Sequence, residues 1–99
     1  MSLLKQTTFR SKKWLQAVAS LPCQICGLEG STQAAHRNEG KGMGLKTDDV
    51  ATAALCFHCH TLIDNGGTME REERRSEMDR AIVNTLIALA RAGLIGTTK

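Results

Sequence analysis

Ninety-nine residues, 41% apolar but only 3% aromatic (Phe9, Trp14 and Phe57), fit one domain that lacks the side chains which usually bury the most surface. The net charge of +3 is too mild for a chain that grips a polyanion with its whole surface. No apolar run approaches the roughly 18 residues of a membrane span, and Met1–Arg10 lacks the apolar stretch and cleavage site of a secretory signal. A membrane protein and a secreted disulfide scaffold are both poor fits, and a small cytoplasmic domain is expected.

In chain order, residues 1–28 carry Lys5, Arg10, Lys12 and Lys13 and no acid, which makes this arm the best candidate for meeting a polyanion. The alternative is four solvated charges that keep a small domain soluble. Ser11 is placed to cap a helix over about 11–20, with Trp14, Leu15, Val18 and Ala19 sharing much of one face, stopped by Leu21-Pro22. Residues 22–66 then hold every cysteine and histidine and read as a compact, metal-organised core. Two short apolar runs, Gln33–His36 and Val50–Leu55, predict a hairpin across an irregular stretch containing Gly40, Gly42 and Gly44. Phe57–Asp64 predicts a short helix ended by Asn65-Gly66-Gly67. Thr68 is read as the opening of the longest helix, about 69–92, with Gly93 as its stop. Its apolar stripe is Met78, Ile82, Leu86 and Leu89/Ala90, widened by Val83 and Ile87, and the stretch Glu70–Arg80 is expected in solvent. Part of that stripe is a candidate homodimer interface. The fold class expected is α+β: a zinc-stapled hairpin and short helix flanked by an N-terminal and a long C-terminal helix.

Cys23-Gln24-Ile25-Cys26 and Cys56-Phe57-His58-Cys59 form two Cys-x-x-Cys knuckles. Two residues between thiols let a tight turn aim both sulfurs at one ion, and two such turns complete the four-sulfur shell of structural zinc. Gly27 helps the first turn. Zinc binding of about 10–16 kcal/mol supplies the staple that so small a core needs. Other readings of the same residues fall short. Two disulfides need an oxidising compartment, and a thioredoxin-type pair explains one knuckle only. Cys56–His60 also spells a haem-attachment pattern, but one without an export signal and with a second knuckle beside it. Pro22–Cys26 matches half of a zinc-deaminase signature whose His-x-Glu is missing upstream. Gly40-Lys41 lacks the rest of a P-loop.

His60 and Asp64 are four residues apart and share a helix face, offering an imidazole and a carboxylate to a divalent ion. A simple surface pair is the alternative. If the hairpin folds back over the short helix, His36 faces the same spot, and one imidazole beside a metal-bound phosphodiester is the minimum kit for hydrolysis. His58, inside the second knuckle, is expected to point to solvent.

The order Cys-x-x-Cys, Ala35-His36, a Gly-rich stretch with Lys46 and Asp49, then Cys56-x-x-Cys59-His60 and Ile63-Asp64 resembles the HNH (ββα-metal) nucleases. Within them it is most similar to the small prophage-encoded YbcO-type proteins. The resemblance covers roughly Pro22–Asn65, under half the chain. It implies a treble-clef, ββα-metal core in which His36 is the general base and Asp49 braces the loop that holds it. It also implies a catalytic divalent ion, magnesium or manganese, on His60 and Asp64, with the four cysteines holding a separate structural zinc. Three positions depart from the family pattern. Ala35 stands where a metal ligand is common, Asp49 replaces the central asparagine, and Asp64 replaces the final histidine. Asp64 still suits an oxygen-preferring ion. The ligand lost at Ala35 is left to water, to substrate phosphate, or to nothing.

The expectation that follows is a metal-dependent endonuclease of phage or prophage origin, acting on DNA in the cytoplasm of a bacterial host. Arg37, Lys41 and Lys46 are placed to meet backbone phosphates, which fix position without reading sequence. No element resembles a base-reading helix, so a phage or host recombination protein, or branched DNA, is expected to restrict cutting. The rival is a non-catalytic zinc-stapled module that binds DNA or protein.

Overall fold

The computed structural model describes residues 9–37, 48–65 and 69–96. In chain order the elements are α1 (Lys12–Ala19), β1 (Thr32–His36), β2 (Thr52–Cys56), α2 (Phe57–Asn65) and α3 (Arg71–Arg91). This is the small α+β arrangement expected, a two-stranded antiparallel hairpin with three helices.

Helix α1 starts where its cap dictates. Ser11 is extended, and its Oγ accepts the Trp14 N–H at 3.1 Å, satisfying one of the first-turn donors that no helical carbonyl can reach. Trp14 meets Phe9 edge to face, with centroids 6.2 Å apart. The hairpin register pairs Thr32 with Cys56, Ala34 with Ala54 and His36 with Thr52. Because side chains alternate along a strand, this register sorts the core into two halves. Ala35, Ala53 and Leu55 face α2 and α3, packing with Cys23, Cys56, Cys59, Ile63, Met78 and Ala81. Ala34 and Ala54 face α1 and the end of α3, packing with Val18, Leu21 and Leu89. Small side chains let both layers close on the hairpin, and all of β2 is buried. The remaining polar groups of its central residue are satisfied from outside the sheet. The Thr85 hydroxyl accepts the Ala54 N–H at 2.9 Å, and the Gln24 N–H donates to the Ala54 carbonyl at 2.8 Å.

Helix α3 departs from the reading in two respects. It begins at Arg71 after Glu70, whose side chain makes no cap bond. Thr68, the expected opening, lies outside the described residues. The buried stripe is Met78, Ala81, Thr85 and Leu89, while Val83 and Ile87 are exposed. The helix is rolled toward its small residues because Ala81 permits close approach to β2 and Thr85 is needed there as an acceptor. The C-terminal stop is as expected. Gly93 takes a φ of +74°, its N–H bonds the Ala90 carbonyl, and the Leu94 N–H reaches the Leu89 carbonyl. That 5→2, 6→1 pair is the Schellman arrangement. Among the described residues, no helix is long and apolar enough to cross a membrane.

Candidate metal centre and histidine sites

The two knuckles converge. Cys23 and Cys26 precede β1, while Cys56 ends β2 and Cys59 lies in the first turn of α2, so the hairpin register brings the pairs together. The four sulfurs lie within 4.8 Å of one another, and all four thiols are free. Cys26 Sγ and Cys56 Sγ are 3.7 Å apart, far beyond a disulfide bond of about 2.05 Å. The edge of a tetrahedron with zinc–sulfur bonds of about 2.3 Å is about 3.8 Å, so the spacing suits zinc. Gly27 takes a φ of +82° and donates to the Cys23 carbonyl, and the Cys26 N–H points at Cys23 Sγ at 3.5 Å. These bonds close the tight turn that the Cys-x-x-Cys spacing predicts.

The electrostatics agree. Burial raises the Cys59 thiol, and the sulfurs of Cys23, Cys56 and Cys26 raise it further. The backbone at Leu28 lowers Cys26, but Cys23 and Cys56 beside it leave it raised. Burial also opposes ionisation of Cys23, yet the backbone amides of Cys26, Cys56 and Ile25 draw it down to about 6. Sulfurs so crowded ionise together only around a cation. The four cysteines are therefore placed to hold a structural zinc.

His36 ends β1 on the same face as Ala34, turned toward the start of α1. Its Nε2 lies 2.9 Å from Asp49 Oδ1. Asp49 is 3% exposed and receives two further donors, the Ser11 N–H on Oδ2 at 2.7 Å and Arg10 Nη1 on Oδ1 at 2.9 Å. Burial alone raises the carboxyl. The bonds from His36, the Ser11 backbone and Arg10 override it and hold the group down at about 2. Asp49 is thus a carboxylate at neutral pH and can only accept. His36 Nε2 is then the donor of this bond, and in the neutral ring Nδ1 is the lone-pair nitrogen.

His60 and Asp64 come together as their spacing requires, with Nε2 and Oδ2 3.2 Å apart. His60 Nδ1 is 2.8 Å from Gln33 Oε1, so Nδ1 donates and Nε2 is turned toward the carboxylate. Two neighbouring ligands of an octahedral ion, each at about 2.1 Å, are about 3.0 Å apart, so the pair fits one edge of such a shell. Gln33, which holds the His60 ring, lies three positions from His36 on β1 and hence on the opposite face. The hairpin does not turn His36 toward the His60–Asp64 pair. Among the described residues, the four cysteines are the one group of three or more His, Cys, Asp and Glu ligands gathered closely enough to share an ion.

The remaining candidates are dispersed. Arg37 forms a two-point ion pair with Asp79 of α3, at 2.7 and 3.3 Å. Lys41 and Lys46 lie outside the described residues. His58 is exposed, as expected. Sequence reasoning missed Arg10 and Ser11, which it treated as a charge and a helix cap rather than as partners of Asp49. Nothing in a pattern 38 or 39 residues away signals that contact.

A family model described as "Protein of unknown function (DUF968)" matches residues 1–88. No curated protein matches. Among solved structures, the chain is similar to one from Escherichia coli K-12 described as a "putative bacteriophage protein". The TM-score is 0.62 at 17% identity, covering 80% of this chain and 98% of the other. A likeness at that identity speaks for a shared fold.

Proposed function

The chain belongs to the DUF968 family, and we propose that it is a metal-dependent endonuclease of the HNH type that hydrolyses DNA phosphodiester bonds. The observation that carries this reading is the His36–Asp49 contact at 2.9 Å. A histidine held through Nε2 by a buried carboxylate that is ionised at neutral pH is the arrangement of an oriented general base.

In this reading Asp49 fixes the ring and its tautomer, and His36 Nδ1 takes the proton from the attacking water. Asp49 then stabilises the imidazolium that forms. His60 Nε2 and Asp64 Oδ2 would hold the divalent ion, with Gln33 fixing the His60 ring. When bound, that ion supplies Lewis-acid stabilisation of the phosphate and the departing oxygen. Ala35 would give the ion no ligand. The hairpin, zinc and α2 form the ββα-metal, treble-clef core of the reading. His36 and the His60–Asp64 pair lie on opposite faces of β1, so a substrate serving both would have to reach past that strand. Arg37 meets DNA only by sharing Asp79, and Lys41 and Lys46 complete the proposed phosphate contacts. Similarity to a protein described as a "putative bacteriophage protein" supports a phage or prophage origin, and action in the host cytoplasm is part of the same proposal. A phage or host recombination protein would confine cutting, and the exposed Val83 and Ile87 are the surface offered to a second copy.

The test is nicking of supercoiled plasmid by zinc-loaded protein in magnesium or manganese, beside His36→Ala shown to keep its zinc and helicity. The expected loss is about 10²–10⁴-fold. A second reading, a zinc-stapled DNA- or protein-binding module, is favoured by one observation: His36, His60 and Asp64 are not gathered around a common point. Failure of the folded wild type to cut supercoiled, single-stranded and branched DNA would shift the reading to it.

A further inference from the structure

Two of the residues that fix the Asp49 carboxylate, Arg10 and Ser11, come from outside the hairpin and α2. The segment just before α1 meets the segment just before β2 in a short ladder. The Phe9 N–H donates to Asp48 Oδ1 at 3.0 Å, and the Asp49 N–H donates to the Phe9 carbonyl at 2.9 Å. The Ser11 N–H then donates to Asp49 Oδ2, while Arg10 Nη1 donates to the Oδ1 that also receives His36 Nε2. Thr52 Oγ1 donates to the Asp49 carbonyl at 2.9 Å, so the backbone behind the carboxylate is tied as well. Both oxygens are thereby specified. Oδ2 is set by a backbone amide at a helix start, and Oδ1 is held between a guanidinium and an imidazole. Of the two side chains on Oδ1, Arg10 is 45% exposed, which places the ladder's outer end at the surface.

We propose that Phe9–Ser11 is a strap that sets the Asp49 carboxylate, and through it the His36 ring, with Arg10 as a positioning residue for the base. The assignment rests on the reading of His36 as general base, but the strap is a feature of geometry and has its own readout. It makes the N-terminal segment part of the active site although it supplies neither a zinc ligand nor a group that touches the reacting atoms. A base displaced by about 1 Å loses on the order of 10²-fold in rate, so the effect is expected in turnover rather than in substrate binding.

The experiment compares wild type, Arg10→Ala, Arg10→Lys, Asp49→Asn and the Arg10→Ala/Asp49→Asn double variant, all zinc-loaded with matched far-UV circular dichroism. Kinetics are read on a DNA duplex that the wild type cuts, together with the His36 Nε2–H proton resonance, which a bond to Asp49 protects from exchange. Arg10→Ala is expected to lower kcat about 10–100-fold with KM within threefold, and Arg10→Lys to recover part of the loss. The double variant is expected to be no worse than Asp49→Asn, because the two residues act as one unit. The resonance is expected in wild type and lost in Arg10→Ala and Asp49→Asn. Wild-type kcat and an intact resonance in Arg10→Ala overturn the strap, as do losses that multiply in full. If wild type cuts no DNA while the resonance is present and vanishes in Arg10→Ala, the strap stands and the nuclease reading falls.

Discussion

Replacing Asp49 by Asn keeps the side chain's shape and removes its charge, and the structure sets the cost. The native carboxyl is held at about 2 against an ordinary 3.8, since three donors outweigh its burial. That preference for the charged form is worth roughly 2–3 kcal/mol at neutral pH. The Arg10 share is small, because a half-exposed ion pair contributes about 0–1 kcal/mol, so most of the effect belongs to the Ser11 N–H and His36. Asn also turns an N–H₂ group toward one of these donors, so the figure is a lower bound. For a domain of this size it corresponds to a fall in Tm of about 10–20 °C. Urea unfolding followed by circular dichroism at pH 7, with free zinc fixed, measures it. The sign follows from the depressed pKa: the stabilisation is complete above about pH 4 and drains away as pH falls toward 2. A variant within about 0.5 kcal/mol of wild type would refute the claim that three donors hold this carboxylate.

Other outcomes follow from single features. Withdrawing zinc with a strong chelator is expected to collapse the far-UV spectrum, and Cys56→Ser to prevent folding; an unchanged spectrum in metal-free protein would separate the sulfur cluster from stability. Thr85→Val removes the acceptor of the buried Ala54 N–H and should cost about 1–3 kcal/mol in urea unfolding. Gly93→Ala meets no atom within 4 Å, so its cost is backbone strain at φ +74°, about 1 kcal/mol by the same assay.

The parts legible in the sequence were those fixed by short-range chemistry. Two Cys-x-x-Cys turns announce one ion because the spacing alone aims the sulfurs. Ser11 and Gly93 mark helix ends through bonds to residues only a few positions away. His60 and Asp64 meet because a helix turns at 3.6 residues. What escaped depends on how elements lie against one another. The roll of α3 is decided by where the Ala54 N–H needs an acceptor, so a count of apolar residues chose Val83 and Ile87 over Ala81 and Thr85. His36 was expected beside His60, but its position on β1 relative to Gln33, and so the face it takes, depends on pairing with β2. The carboxylate that holds it was legible as a residue, while the donors that hold the carboxylate were not.

The stretch between Arg37 and Asp48 is tied down on both sides by independent means. At one end, the Arg37 N–H bonds the Ala51 carbonyl at the mouth of the hairpin; at the other, Asp48 and Asp49 are laced to Phe9–Ser11. Both anchors hold whatever lies between them. Doubling the length of such a connection adds only about 0.6 kcal/mol of closure entropy. A change in the number of residues between these two anchors would therefore cost the hairpin and the Asp49 cluster little.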